Sequence, residues 1–427
     1  MTRFISRLVI LVALVFSVRV SPAEELKVEI NPDHSDYFYR VGETAVFYID
    51  ISGVNSGSLR YRFSQDNARL LDQGELELAA KSAKLEYSLD HPGFLRLDVL
   101  LSSGSDTLRK ATAVGFSPEA IRPTNVLPDD YLRFWSQGIA ALIRIPVDAR
   151  CEEVPEDKVK GARRYQVSLA NVEGSRIYGW LTVPPGSGPF PAVVHIPGAP
   201  GGVGEYMTGP RSEYAEAGMI ILALNIHGVE LGRKKEFYQQ LLDRNPSGGF
   251  SSLGADDPYR YYYRRVVLGA IRAFDFLCMR EDVDTTRLAV AGGSQGGGLA
   301  LIVASLDKRI KAASIKVPAM CEHTGILHQR PTGWPHLLKR NDRGERIIRT
   351  SRYYDGALAA GLIKVPTLVS VSLLDESCPP TTVYAAFNSL KGSKEIFVYP
   401  DVDHPGSFTA ERDRRMIGWL AERLKGS

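Results

Sequence analysis

Between residues 191 and 400 the chain repeats one pattern, an apolar run of strand length followed by a turn and a segment of helical texture. The runs are P-A-V-V-H-I-P (191–197), M-I-I-L-A-L-N-I (219–226), R-L-A-V-A (287–291), I-K-A-A-S-I-K-V (310–317), P-T-L-V-S-V-S-L-L (366–374) and E-I-F-V-Y-P (395–400). A strand that is apolar on successive residues is covered on both faces, and helices must supply the cover. R-R-V-V-L-G-A-I-R-A-F-D-F-L (264–277) reads as one of them. The pattern predicts an α/β fold, a mostly parallel central sheet with helices on both faces. No internal repeat or low-complexity segment interrupts it.

The first quarter of the chain has a different texture. From Leu26 to about Phe116, runs such as A-V-F-Y-I-D-I (45–51), L-R-Y-R-F (59–63) and F-L-R-L-D-V-L-L (94–101) alternate apolar and polar residues. Turn signals (V-G-E, S-G-V-N-S-G-S, H-P-G, S-S-G-S-D) separate them. Short alternating strands without a helix predict a small immunoglobulin-like β-sandwich over 24–116, whose simplest role is a spacer or an interaction module. The prolines of S-P-E-A-I-R-P-T-N-V-L-P-D-D mark a linker at 117–128. A second domain, 129–427, then opens with an amphipathic helix, D-D-Y-L-R-F-W-S-Q-G-I-A-A-L (129–142), capped by Asp129 or Asp130. Two domains also suit 427 residues, too many for one ordinary core.

The N-terminus, MTRFISRLVILVALVFSVRVSPAEE, is laid out as a secretory signal peptide over 1–23. Arg3 and Arg7 form a basic start, Leu8 to Val18 an apolar stretch, and Ser21-Pro22-Ala23 a small-residue cleavage site. The apolar stretch falls short of the about 20 residues a spanning helix needs, so no stable membrane span is expected after cleavage. The expected location is secreted or periplasmic. A net charge of +3, with scattered Lys and Arg, excludes nucleic acid as the evident partner. Cys151, Cys278, Cys321 and Cys378 form no C-x-x-C pair and no metal-spaced cluster, so no metal and no organic cofactor is implied. Whether they pair as disulfides or stay buried thiols is left open.

The chemistry centres on V-A-G-G-S-Q-G-G-G-L (290–299). A flexible linker would be polar on both sides, and a phosphate-cradling loop would need Gly-Lys-[Ser/Thr]. A dinucleotide fingerprint would follow the first strand of its domain. Gly292-x-Ser294-x-Gly296, between an apolar strand and a helical segment, fits instead a nucleophile elbow that holds Ser294 above the sheet edge. A serine nucleophile needs a base, and the base an orienting acid, in the chain order serine, acid, histidine. His404, in V-Y-P-D-V-D-H-P-G, follows the last strand run; His323, His328 and His336 come before the strand that must present the acid. Asp375 ends the preceding run, with Glu376 second choice and Asp401 and Asp403 as rivals close to His404. The oxyanion hole needs two backbone N–H groups. One is expected from Gln295. The other belongs to the loop H-I-P-G-A-P-G-G, where Pro197 and Pro200 have none to offer and Ala199 or Gly198 does. Trp334 and Tyr206 are conceivable pocket walls, although core packing is commoner for either.

With these residues in view, the chain from about 129 to 425 resembles the acetyl xylan esterase / cephalosporin C deacetylase family of α/β-hydrolases. The likeness rests on G-W-L-T-V-P (179–184), Y-Y-Y-R-R-V (261–266), A-G-G-S-Q-G-G-G-L-A (291–300), S-R-Y-Y-D-G (351–356), L-D-E-S-C-P-P-T-T-V-Y-A-A-F-N (374–388), K-E-I-F-V-Y-P (394–400) and D-H-P-G (403–406). It implies a serine carboxylesterase that removes acetyl groups from oligo- or polysaccharides, with the nucleophile on Ser294, the acid on Asp375 and the base on His404. Two positions depart from the family. Ala199 stands where an oxyanion-loop tyrosine is usual, and His227 in N-I-H-G-V-E-L-G replaces an arginine. The resemblance also implies a homo-oligomer, after the family's ring-like assembly. Other readings are an exported α/β-hydrolase peptidase, an esterase for other acyl groups, and a non-catalytic carbohydrate-binding protein.

Overall fold

A computed structural model describes residues 25–54, 57–77, 82–154, 159–199, 209, 211–244, 249–340 and 344–425. The signal sequence expected at 1–23 lies outside the described residues. Among the described residues eight strands come first: β1 (Lys27–Pro32), β2 (Phe38–Tyr39), β3 (Ala45–Ser52), β4 (Ser58–Gln65), β5 (Arg69–Glu77), β6 (Ser82–Tyr87), β7 (Gly93–Ser103) and β8 (Asp106–Phe116). They form a three-stranded sheet, β1-β3-β6, and a five-stranded sheet, β2-β8-β7-β4-β5. Alternation is what brings the two together. Ala45, Phe47, Ile49 and Ile51 of β3 all point inward, and they share one core with Leu59, Phe63, Leu97, Val99, Leu101 and Val114.

Helix α1 (Tyr131–Ile143) follows, starting at Asp130 as expected. The Asp130 carboxylate does not cap it, however. It accepts a hydrogen bond from the Tyr353 hydroxyl at 2.5 Å, a tertiary partner that competes with the local one.

The remaining strands are β9 (Arg150–Val154), β10 (Arg163–Ala170), β11 (Arg176–Val183), β12 (Phe190–Ile196), β13 (Ile220–Asn225), β14 (Val283–Gly293), β15 (Ile310–Lys316), β16 (Thr367–Ser372) and β17 (Lys394–Tyr399). They form one sheet in the order β17-β16-β15-β14-β12-β13-β11-β10-β9. β12 to β17, the six apolar runs, pair in parallel; β9, β10 and β11 extend the sheet antiparallel. Helices cover both faces, as double burial requires. α2 (Tyr263–Cys278) buries Val266, Val267, Ala270, Ile271, Phe274 and Leu277 on one side, together with α3 (Gln295–Leu306). On the other side α5 (Ala410–Arg423) brings Ile417 and Leu420 onto Val193, Ile221, Ala289 and Ala312. β12 lies between β13 and β14, so the strand order reverses there, and a ligand site is expected beyond the carboxyl ends of β12 and β14.

The N-terminal sheets dock on the larger sheet's surroundings through α4 (Pro380–Ser389). Phe94 packs its ring 5.3 Å from Tyr384, and Asp66 accepts from the Thr381 hydroxyl at 2.6 Å. All four cysteines are free thiols, Cys321 and Cys378 buried and Cys151 exposed. Among the described residues no helix is long and apolar enough to cross a membrane.

Candidate active site

β14 ends in Gly292-Gly293, and α3 begins at Gln295, which leaves Ser294 alone to make the turn. Its backbone takes φ 53° and ψ −123°, a region that strains any residue with a Cβ. The neighbours explain how the strain is held. A Cβ on Gly292 would stand 2.3 Å from the Gly296 carbonyl oxygen, and one on Gly296 1.9 Å from that of Ile196. Only glycine at both positions lets the chain pass. Ser294 N–H donates to Lys316 O at 2.9 Å, and its carbonyl accepts from Gly297 and Ala319, both at 2.9 Å.

His404 reaches the serine from the loop after β17. Its Nε2 lies 3.0 Å from Ser294 Oγ, and its Nδ1 lies 2.6 Å from Asp375 Oδ2. Asp375 ends the segment after β16 and is buried. Its other oxygen accepts from Ser377 N–H at 2.9 Å and Cys378 N–H at 2.7 Å. A carboxylate so engaged is an acceptor only, so the Nδ1 side of the ring carries the proton and Nε2 is left to accept from the serine. Phe408 meets the imidazole edge-on at 5.4 Å and has the Lys316 ammonium over its own ring at 5.3 Å. Lys316 in turn pairs with Asp413 in the first turn of α5. These contacts back the histidine from behind. Composition offered no sign of them, since Lys316 reads as an ordinary strand-end lysine.

The rival residues have other partners. Asp401 accepts from Tyr37 and Thr112 of the N-terminal sheets, each at 3.4 Å, and Asp403 accepts from Gly406 N–H at 2.8 Å within its own turn. Glu376 turns away to Arg96, 2.9 Å distant. His323 is buried, and burial pushes its imidazole down to about 4. His328 is exposed, and His336 lies beside Thr332 in a cleft against the N-terminal sheets.

The loop after β12 faces the serine. A Cβ on Gly198 would come 3.7 Å from Ser294 Cβ, and Ala199 follows as an exposed turn residue. The Gln295 side chain ties this loop to the elbow. Its Oε1 accepts from the Tyr263 hydroxyl at 2.7 Å, and its Nε2 donates to Pro197 O at 3.4 Å. The Tyr263 contact was not legible in the sequence; it sits in the quoted Y-Y-Y-R-R-V, where nothing separates it from two other tyrosines. Trp334 is half-buried, its backbone N–H donating to Ser377 O at 2.8 Å beside Asp375, and its ring lies 6.4 Å from Phe250. Tyr206 lies outside the described residues. His227 approaches the Tyr262 hydroxyl at 2.5 Å and packs on Phe250.

Ligand atoms of Asp375, Cys378 and His404 lie within 4.8 Å of one another. A metal would have to displace the hydrogen bonds already made by the carboxylate and Nδ1. It would also need a thiolate where burial pushes the Cys378 thiol well up. The donor set suits proton transfer better than metal binding.

The family model for acetyl xylan esterase matches residues 119–423. Acetyl esterase Axe7A of Xylanibacter ruminicola is 30% identical over 401 residues, covering 92% of this chain and 90% of that protein. Among solved structures, an acetyl xylan esterase from Paenibacillus sp. R4 is 33% identical with a TM-score of 0.61, covering 71% of this chain and 98% of its own. Acetyl xylan esterase 1 from Thermoanaerobacterium sp. JW/SL YS485 gives the same TM-score at 22% identity, a likeness of fold, with 72% and 98% covered.

Proposed function

Because the chain belongs to the acetyl xylan esterase family, and so to the serine-type carboxylesterases of α/β-hydrolase fold, we propose that it removes acetyl groups from acetylated xylan-type saccharides through Ser294, His404 and Asp375. The observation that carries the reading is the unbroken line of hydrogen bonds from Ser294 Oγ through the imidazole to the buried Asp375. His404 takes the serine proton as Oγ attacks the ester carbonyl, and Asp375 steadies the imidazolium that forms. Negative charge developing on the carbonyl oxygen faces the N-terminus of α3. There Gln295 N–H has no intrahelical acceptor, and Ala199 N–H is the second donor. Collapse expels the sugar hydroxyl, protonated by His404. Water activated by the same imidazole then cleaves the acetyl-serine, releasing acetate. The basic, apolar and small-residue order of residues 1–23 supports export of the enzyme to the compartment where such polymers lie.

The test is acetate release from a panel of acetylated xylans, pectins and short sugars, with p-nitrophenyl esters of increasing chain length alongside. Acetate esters are expected to be the best acyl substrates, and Ser294→Ala to lower kcat by about 10⁴-fold or more with an unchanged melting curve. Faster turnover of longer acyl esters or of amides would reject the acetyl assignment, and substantial turnover by Ser294→Ala would reject the triad.

A further inference from the structure

The esterase reading uses the large sheet and leaves the N-terminal sheets without a task. In the five-stranded sheet, cross-strand register puts Arg109, Leu100, Arg60 and Glu75 in one row and Ala111, Asp98, Arg62 and Gln73 in the next. Leu59, Phe63, Leu97 and Val99, of the opposite parity, fill the core between the two sheets. The two rows therefore stand on the outer face. They line a groove of about 910 Å³ whose walls also include Arg96, Lys110 and Glu376. Arg96 answers two of the groove's carboxylates, Asp98 and Glu376, each at 2.9 Å. Arg60 and Arg109 are exposed and make no ion pair among the described residues.

The groove also leads somewhere. Glu376 follows the acid Asp375 and lines a second cleft of about 560 Å³, between the turn at Asp66–Arg69 and the segment holding Gln329, Arg330 and His336. One residue thus joins the outer sheet face, the cleft between the two parts of the molecule, and the loop that carries the acid.

The floor and rim indicate what fits. Arg109 and Arg60 lie on strands either side of β7, about 10 Å apart, with Leu100 between them. A pyranose has an apolar C–H face to rest on the leucine, and a carboxylate on such a ring matches the fork of either guanidinium. A protein partner would want a larger apolar floor than a single leucine. A polyphosphate would meet the three carboxylates Glu75, Asp98 and Glu376.

We propose that this outer-face groove is a saccharide-binding site for uronate-bearing stretches of polysaccharide, which it leads by way of Glu376 toward the active-site loop. The proposal rests on the reading that the substrate is an acetylated polysaccharide, but its binding test does not depend on ester cleavage. Titration calorimetry of the full chain with deacetylated xylo-oligosaccharides of one length should show glucuronate-substituted chains binding about tenfold more tightly than unsubstituted ones, a difference of about 1.4 kcal/mol. Arg60→Gln/Arg109→Gln should erase that preference while keeping the wild-type melting temperature, and Arg62→Gln should weaken it. In the double variant, kcat/KM on acetylated, uronate-bearing polymer should fall about tenfold relative to its own value on p-nitrophenyl acetate. Equal binding of both saccharides would overturn the proposal, as would a uronate preference that survives loss of both arginines. Tighter binding of an acidic peptide such as poly-glutamate would assign the groove to a protein partner instead. Failure of the esterase reading would appear separately, as absence of acetate release.

Discussion

Ser294 keeps a positive φ although it carries a Cβ, and three backbone hydrogen bonds and two glycine contacts hold it there. What this arrangement presents to His404 is a hydroxyl at 3.0 Å, with the imidazole fixed from its far side by a carboxylate that solvent does not reach. The role of that carboxylate is therefore separable from the charges nearby. Asp375→Asn can no longer hold Nδ1–H and should lower kcat by about 10⁴-fold. Asp403→Asn keeps an oxygen for Gly406 N–H and should stay within about threefold of wild type, in line with ordinary surface substitutions. The reverse pattern, measured as kcat on p-nitrophenyl acetate, would move the acid to Asp403. That Ser294, Asp375 and His404 come together was legible because chain order and strand ends restrict where each can stand. Phe408 and Lys316 were not, because a ring and an ammonium that act through another side chain leave no spacing in the chain to read.

At the scale of elements, the parallel strands β12 to β17 could be read from their continuous apolar runs, since burial on both faces erases alternation. β9 and β10 escaped notice because they lie toward the sheet edge and pair antiparallel, with polar residues on much of their length, and β11 because half-buried positions interrupt its apolar ones; β9 is exposed at four of its five positions. The start of α1 was found at the expected residue, but the tertiary hydroxyl of Tyr353 took the carboxylate that local reasoning gave to the cap. The tie between elements nearest the proposed oxyanion hole is Tyr263 to Gln295. It links α2, through the first residue of α3, to the loop after β12. Tyr263→Phe leaves Gln295 Oε1 buried without its donor, which costs about 1–3 kcal/mol. Part of that loss should appear as misplacement of the two oxyanion donors, so kcat is expected to fall about tenfold with KM little changed. A rise in KM at constant kcat would mean that the tether shapes the substrate pocket and leaves the oxyanion hole alone.

Over the whole molecule, the feature no local pattern conveyed is that the N-terminal sheets are docked against the loop and helix that follow Asp375. One of the docking contacts titrates. Asp66 sits in the β4–β5 turn, buried against α4, and accepts from the Thr381 hydroxyl at 2.6 Å and its N–H at 3.4 Å. Burial pushes its carboxyl up to about 7 against an ordinary 3.8, more than the two hydrogen bonds lower it. A carboxyl raised on folding keeps its proton in the native state at a pH where the unfolded chain has lost it. Its contribution to stability is therefore complete below about pH 4 and is lost as pH rises toward 7, with a ceiling of about 4 kcal/mol for a shift of this size. Glu322, pushed up to about 7, and Asp355, pushed up to about 6, act in the same direction within the larger part of the chain, so wild-type stability alone does not isolate the contact. Asp66→Asn does. The amide keeps one acceptor for the Thr381 hydroxyl and does not titrate, while Glu322 and Asp355 remain. The variant should be less stable than wild type near pH 5, and the gap should shrink or reverse by about pH 8, as wild type comes to carry a buried charge. Melting temperatures of both proteins across that range decide the matter. Parallel curves would show that the docking of the N-terminal sheets does not depend on the protonation of Asp66.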